Sequence, residues 1–244
     1  MTVAPAPNRY AGQYALAGPA KVDDPRITPI RGDLADIALA GKLFAPHYVV
    51  PMERAVRVPF VALRGSPAAT AEPVSELLAG ERFLVLDIAG EGDGAWAWGY
   101  GAHDRYLGYL ALAALGDPAS TPRPPRPEGA DPVAIAEGLA GTPYVWGGRG
   151  GAGLDCSGLV QTVFAANGTV LPRDSDQQAA AGRALGDDEP LRRGDLVFFP
   201  GHVAIAVDGE TLVHASRERG LVAIEPLTDV VARKGAVTGR RRAA

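Results

Sequence analysis

The chain divides by the rhythm of its apolar positions. From Val56 to Leu115 they come in short runs at Val58–Leu63, Arg82–Asp87, Ala95–Gly99 and Tyr106–Leu110. Turn formers separate them: Gly65-Ser66-Pro67, Gly80-Glu81 and Glu91-Gly92-Asp93-Gly94. Closely spaced short strands predict a small all-β barrel, placed at residues 51–116. Residues 1–50 predict an N-terminal arm, partly irregular. Its first 22 residues are rich in Pro, Ala and Gly, and Asp33 could cap a short helix or open an extended piece within Gly32–Phe44. Between Gly116 and Gly129 stand five prolines in fourteen residues, which predicts a stiff polyproline-like spacer and a linker at 117–130.

Past the linker the pattern changes to a mixture of helical and strand periods, which predicts an α+β domain over 131–244. Asp131-Pro132 places an N-cap residue before a proline at the first helical position, so a helix should run to about Ala140. Leu159 to Ala166 reads as a second helix, entered through the glycine-rich stretch Gly147–Gly153. Gly194–Phe199 and His202–Val207 read as strands broken at Pro200-Gly201, and Thr211–Ser216 as a third after Asp208-Gly209-Glu210. The terminal Arg240-Arg241-Arg242 reads as a solvated tail.

Composition narrows the function classes. With 47% hydrophobic and 21% charged residues the balance is that of an ordinary globular protein. A net charge of -4 lacks the basic footprint of a nucleic-acid binder. No run reaches the length of a membrane span, and the first residues have neither a basic n-region nor an apolar h-region, so the expected location is cytoplasmic, with no membrane partner. One cysteine excludes an internal disulfide framework.

That cysteine carries the candidate chemistry. Asp155 is a good N-cap type, so Cys156 should lie in the first turn of the helix, where unpaired N–H groups and the helix dipole favour a thiolate. A thiol nucleophile needs a base, and the base needs an orienting group. His202 and His214 can supply these only if they share a sheet face. A two-residue turn at Asp208-Gly209 would put them on opposite faces. A three-residue loop would pair Val207 with Thr211 and bring His214 one diagonal from His202. The residues alone do not choose between these registers. The histidine and cysteine spacing has no paired-ligand motif, and the 147–153 loop lacks the Gly-Lys-Ser/Thr ending of a phosphate loop, so neither metal nor cofactor is expected. The loop's glycines would instead give backbone clearance beside the cleft.

Asp155-Cys156-Ser157-Gly158, Gly194–Phe199, Gly201–Ile205 and His214-Ala215-Ser216, with Pro143-Tyr144-Val145-Trp146-Gly147-Gly148 and Leu171–Gln178 in the same order, resemble the NlpC-type cell-wall cysteine peptidases. Leu77–Glu81, Trp96-Ala97-Trp98 and Tyr106–Tyr109 resemble, more weakly, the bacterial SH3-like barrels attached to such enzymes. The resemblance implies a papain-like α+β fold behind an SH3-like barrel, with Cys156 as nucleophile, His202 as base and His214 orienting it. It implies an oxyanion site formed by Tyr144 and the Cys156 backbone N–H. It further implies the γ-D-glutamyl–diamino acid endopeptidases of the dipeptidyl-peptidase VI type, which act on murein peptide fragments during recycling. Their substrate contacts map onto Asp155, Ser157 and Ser175, with Tyr106 and either Glu81 or Glu76 meeting the free amine of an N-terminal L-Ala. Two rival readings are an amidase or acyltransferase on the same fold, and a non-catalytic binder of wall fragments. The preferred diamino acid and the oligomeric state have no signature in the residues.

Overall fold

The computed structural model describes residues 22–122, 129–186 and 188–243. Residues 1–21 of the predicted arm and 123–128 of the predicted proline spacer lie outside the described residues. The rest of the arm takes the extended option. Strand β1 (Leu34–Asp36) pairs in parallel with β2 (His47–Val49), and the Asp36 side chain caps the 3-10 turn Ile37–Leu39 between them. Leu34 packs with Leu86, Trp98 and Tyr100, and the Tyr100 hydroxyl donates to Asp36 Oδ2 at 2.6 Å.

Seven antiparallel strands follow: β3 (Met52–Val56), β4 (Phe60–Arg64), β5 (Pro73–Leu78), β6 (Arg82–Ala89), β7 (Trp96–Gly101), β8 (Leu107–Ala111) and β9 (Leu115–Gly116). Their order is β5-β4-β8-β7-β6-β3-β9, closed around Val56, Leu63, Leu77, Phe83, Ala97 and Leu110. Strands β3 and β5 do not stand out in the apolar pattern. In β3 only Ala55 and Val56 are buried. Three consecutive residues of β5 are buried, Ser75, Glu76 and Leu77, and two of these are polar.

The second unit opens with α1 (Pro132–Gly138), whose N-cap Asp131 accepts from the Val133 N–H at 2.9 Å. Next come α2 (Cys156–Ala166), the one-turn α3 (Ser175–Gln178), β10 (Arg183–Ala184), β11 (Leu196–Phe199), β12 (His202–Ala206), β13 (Thr211–Ser216), β14 (Leu221–Pro226), α4 (Leu227–Lys234) and β15 (Gly239–Arg242). The sheet order is β10-β15-β11-β12-β13-β14. Helix α2 buries Leu159, Val160 and Val163 against Ile205, Val213 and Ala215 on one face of this sheet. Each such side chain contributes about 1.5–3 kcal/mol, so packing rather than helix propensity sets its position. On the other face, Val230 of α4 meets Val197, Phe199 and Leu212. Among the described residues no helix is long and apolar enough to cross a membrane.

The arginine run is not a tail. Arg240, Arg241 and Arg242 lie in β15, paired with β11, and Arg242 forms an ion pair with the buried Asp195 at 2.7 Å. A basic run can hold this strand, which lies between β10 and β11, because Arg242 meets the carboxylates of Asp195 and Glu189 and Arg240 donates to the Glu189 and Gly186 carbonyls.

Candidate active site

Asp155 is the N-cap of α2, accepting from the Gly158 N–H at 2.7 Å, and Cys156 is the first residue of the helix. The helix start is pressed against the glycine-rich loop. A Cβ on Gly158 would stand 2.1 Å from the Gly148 carbonyl oxygen, so only glycine fits there. The thiol is 7% exposed. Burial and the neighbouring Asp155 charge push its pKa up, against the N–H groups of Val203 and Ser157, which favour the thiolate. Desolvation and Asp155 thus oppose the thiolate that the helix terminus favours.

Ile205 lies opposite Val213, Ala206 opposite Leu212, and the Val207 N–H donates to the Thr211 carbonyl at 2.8 Å. This is the three-residue-loop register, and it brings His202 and His214 together. Their ring centroids are 4.9 Å apart, and Nε2 of His202 is 2.8 Å from Nδ1 of His214. On its far side, His214 Nε2 lies 3.0 Å from Glu225 Oε2. Arg219 donates to the other Glu225 oxygen at 2.8 Å, and Arg233 also contacts the carboxylate.

This chain has a direction. The ionised Glu225 carboxylate only accepts, so His214 carries its proton on Nε2, and its Nδ1 accepts from His202 Nε2–H. The remaining nitrogen of His202, Nδ1, keeps its lone pair. Burial and His214 hold the His202 pKa down to about 3, so the ring is neutral. Glu225 had no place in the sequence reading. Its signal is geometric: Leu212 pairs with Glu225 and His214 with Ala223, which puts a glutamate one diagonal from His214 across two strands.

Cys156 opens onto a cleft of about 330 Å³ between the two units. From the second unit, Trp146, Asp155, Ser157, Asp174, Ser175 and Gly201 line it; from the barrel, Glu72, Val74 and Tyr106 do. Asp155, Ser157, Ser175 and Tyr106, to which the resemblance assigns substrate contacts, all line this one cleft. Tyr144 is half-buried beside it, its hydroxyl pKa raised by burial and by the charge of Cys156. Asp155 is committed to structure as well. It accepts from the Gly147 N–H at 2.9 Å and pairs with Arg173, whose Nη1 lies 3.0 Å from Oδ1.

Glu81 and Glu76 are not at the cleft, which corrects their assignment to a substrate amine. Glu81 forms a buried ion pair with Arg149 at 2.7 Å. Burial pushes its carboxyl up, but the Arg149 charge more than offsets this and holds it below the usual carboxylate range. Glu76 accepts from the backbone N–H groups of Arg149, Gly151 and Ala152 at 2.9, 2.8 and 3.1 Å. The glycine-rich loop does cradle an anion, the barrel's own carboxylate. The barrel glutamate that reaches the cleft is Glu72, and among the described residues no cation is paired with it. Opposite stands Asp174, which accepts from the Tyr106 hydroxyl at 2.7 Å and from Arg26 of the arm at 2.8 Å.

A cysteine heading a helix that packs on a histidine-bearing antiparallel sheet defines a papain-like α+β unit, here behind an SH3-like barrel. Residues 141–241 match the NlpC/P60 family, and residues 63–115 match the bacterial dipeptidyl-peptidase Sh3 domain. The chain is 36% identical over 111 residues to the gamma-D-glutamyl-L-lysine dipeptidyl-peptidase of Bacillus cereus, covering 42% of this chain and 33% of the relative. It is 32% identical over 177 residues to "probable endopeptidase Cgl2188" of Corynebacterium glutamicum, covering 66% and 83% of the two chains. The solved structure of the peptidoglycan hydrolase RipB from Mycobacterium tuberculosis aligns with a TM-score of 0.41 at 35% identity, over 46% of this chain and 63% of that one. The chain spans about a third of the length of the first curated relatives it matches. It belongs to the NlpC/P60 family.

Proposed function

We propose that the chain is a cysteine peptidase that hydrolyses murein peptides, cutting the γ-D-glutamyl–diamino acid bond of fragments with a free N-terminal L-Ala, in wall-peptide recycling. In this reading His202 Nδ1 takes the Cys156 proton as sulfur attacks the γ-carbonyl carbon. The developing oxyanion is met by the Cys156 N–H and the Tyr144 hydroxyl. His202 then gives the proton to the departing amine of the diamino acid. A water molecule, deprotonated by the same nitrogen, releases the dipeptide from sulfur. Burial pushes the Cys156 thiol up and the His202 ring down, so the site disfavours charge on either group until an oppositely charged partner forms. His214, fixed by Glu225, holds the His202 ring and stabilises the imidazolium that forms.

The observation that carries the choice of substrate is the acidic end of the cleft. Glu72 and Asp174, with the Tyr106 hydroxyl, face the same space as Cys156. An ammonium group entering there needs anionic partners, since an unpaired buried charge is costly. A free L-Ala amine two residues from the scissile bond fits that requirement, and intact wall, whose alanine is amide-linked, does not.

The test compares kcat/KM for L-Ala-γ-D-Glu-diamino acid with its N-acetylated form. The free amine should be preferred by about 100-fold or more, the scale of a charge-assisted contact left unmade. Tyr106→Phe and Glu72→Gln should shrink that ratio, and Cys156→Ala should leave no turnover. Equal rates on the two peptides would remove the amine site, and turnover in Cys156→Ala would remove the mechanism.

A further inference from the structure

Resting on the proposed γ-glutamyl substrate, we infer that Arg217 is a specificity-determining residue of the cleft, binding a carboxylate of the substrate peptide. A bond through the γ-carbon of D-Glu leaves that residue's α-carboxylate free, close to the scissile carbonyl. The diamino acid brings further carboxylates on the other side of the bond. The cleft therefore has to hold an anion near Cys156, beyond the ammonium end, and an uncompensated charge there would be costly.

Three guanidinium groups touch residues that line the cleft, and Arg26 is spent on Asp24, Asp174 and Asp176. Arg173 lines the cleft, but it is buried and bound to Asp155, Ser157 Oγ at 2.9 Å and Ser75 Oγ at 3.0 Å. Arg217 is in the opposite situation. It is exposed, in the turn from Ser216 to Gly220 that follows His214 and Ala215 on β13. The other charges of that turn are paired: Arg219 with Glu225 at 2.6 Å and Glu218 with Lys234 at 2.7 Å. Among the described residues no carboxylate is paired with Arg217. What holds it is aromatic. Its guanidinium carbon lies 4.8 Å from the Trp146 ring centroid and 5.8 Å from that of Tyr144. Trp146 is 48% exposed and lines the cleft with Cys156, and the Tyr144 hydroxyl feels the charges of both Cys156 and Arg217.

Besides stacking, Arg217 hydrogen-bonds the Tyr144 hydroxyl, and no carboxylate among the described residues takes up its remaining in-plane N–H donors, which suit a carboxylate. Arg217 is thus held at low entropic cost against Trp146, a residue of the cleft wall, with no carboxylate among the described residues to neutralise its charge.

The experiment crosses enzyme with substrate. Wild type, Arg217→Gln and Arg217→Lys are assayed on three C-terminally amidated peptides: L-Ala-γ-D-Glu-L-Lys, the same peptide with D-isoglutamine in place of D-Glu, and L-Ala-γ-D-Glu-meso-diaminopimelate with its side-chain carboxylate free. Arg217→Gln should lower kcat/KM by about 10- to 100-fold wherever the recognised carboxylate is present, and little where it is absent. Arg217→Lys should recover part of the loss, since an ammonium keeps the charge and loses the fork. A loss on the D-Glu peptides and none on the isoglutamine peptide assigns the α-carboxylate of D-Glu. A loss largest on the diaminopimelate peptide assigns the side-chain carboxylate of the diamino acid. Equal losses on all three, or no loss on any, overturn the inference while leaving the peptidase reading intact. If wild type cleaves none of the three, the proposed function fails and this inference fails with it. A thermal melt of each variant separates a folding defect from a binding one.

Discussion

His202 can act as a base only if the right nitrogen is bare, and three residues decide that. Glu225 accepts from His214, His214 accepts from His202, and Nδ1 of His202 is left unprotonated. Glu225→Gln tests the direction of this chain. An amide can donate as well as accept, so it can support the reversed tautomer, in which His202 Nδ1 carries the proton. We expect kcat to fall by about 10- to 100-fold with KM nearly unchanged, and Glu225→Asp to fall less; the same logic is seen where an amide replaces the orienting carboxylate of a triad. Unchanged kcat in Glu225→Gln would mean that His214 alone sets the tautomer. At this scale much of the site was legible. Cys156 announces itself as the single cysteine after an N-cap residue, and the two histidines as strand residues whose register a loop length decides. Glu225 was not legible, because the partner of a partner on a third strand leaves no local pattern. Glu76 and Glu81 misled for a related reason: their partners at 149–152 are some seventy residues away in sequence.

At the scale of elements, the glycine-rich loop and the start of α2 form one piece. Gly158 is inside a helix, where Ala would ordinarily be more stable by about 0.5–1 kcal/mol. Here the added methyl would meet the Gly148 carbonyl oxygen at 2.1 Å, so the sign reverses. Gly158→Ala should lower the melting temperature and remove most activity, because the helix start that presents Cys156 must shift. Gly138, at the end of α1, is the control: a methyl there would meet nothing within 4 Å, and Gly138→Ala should melt at or above wild type. Elements whose residues pack by period were readable from the sequence, as α1, α2, β12 and β13 show. Strand β5 was not, because its buried Ser75 and Glu76 serve the second unit: Ser75 accepts from Arg173 and Glu76 from the loop. Polar residues that bind across an interface break the alternation by which a strand is recognised.

At the scale of the whole molecule, the two units are joined by polar groups. Arg149 reaches Glu81, Gln161 donates to Asp104 at 2.9 Å, and the arm contributes Arg26 and Asp24, which bind Asp174, Asp176 and Gln177. A buried ion pair of this kind adds little net stability but is costly to break one-sidedly. Glu81→Ala should therefore cost about 3–5 kcal/mol in denaturant unfolding, by leaving the Arg149 charge buried. The double variant Glu81→Leu with Arg149→Met should recover most of that loss. If the single variant unfolds like wild type, the two units are held together by something other than this pair.

The cleft has walls from both units, Glu72 and Tyr106 on one side and Cys156 and Asp174 on the other. A peptide seated there is a removable rivet. Whatever free energy it gains by touching both walls, it returns as tighter docking of one unit on the other, because coupling between two equilibria is reciprocal. On the proposed function, the occupied molecule is accordingly stiffer than the empty one. A substitution far from the cleft that loosens the docking acts as a competitor of the substrate, weakening its binding without touching the thiol.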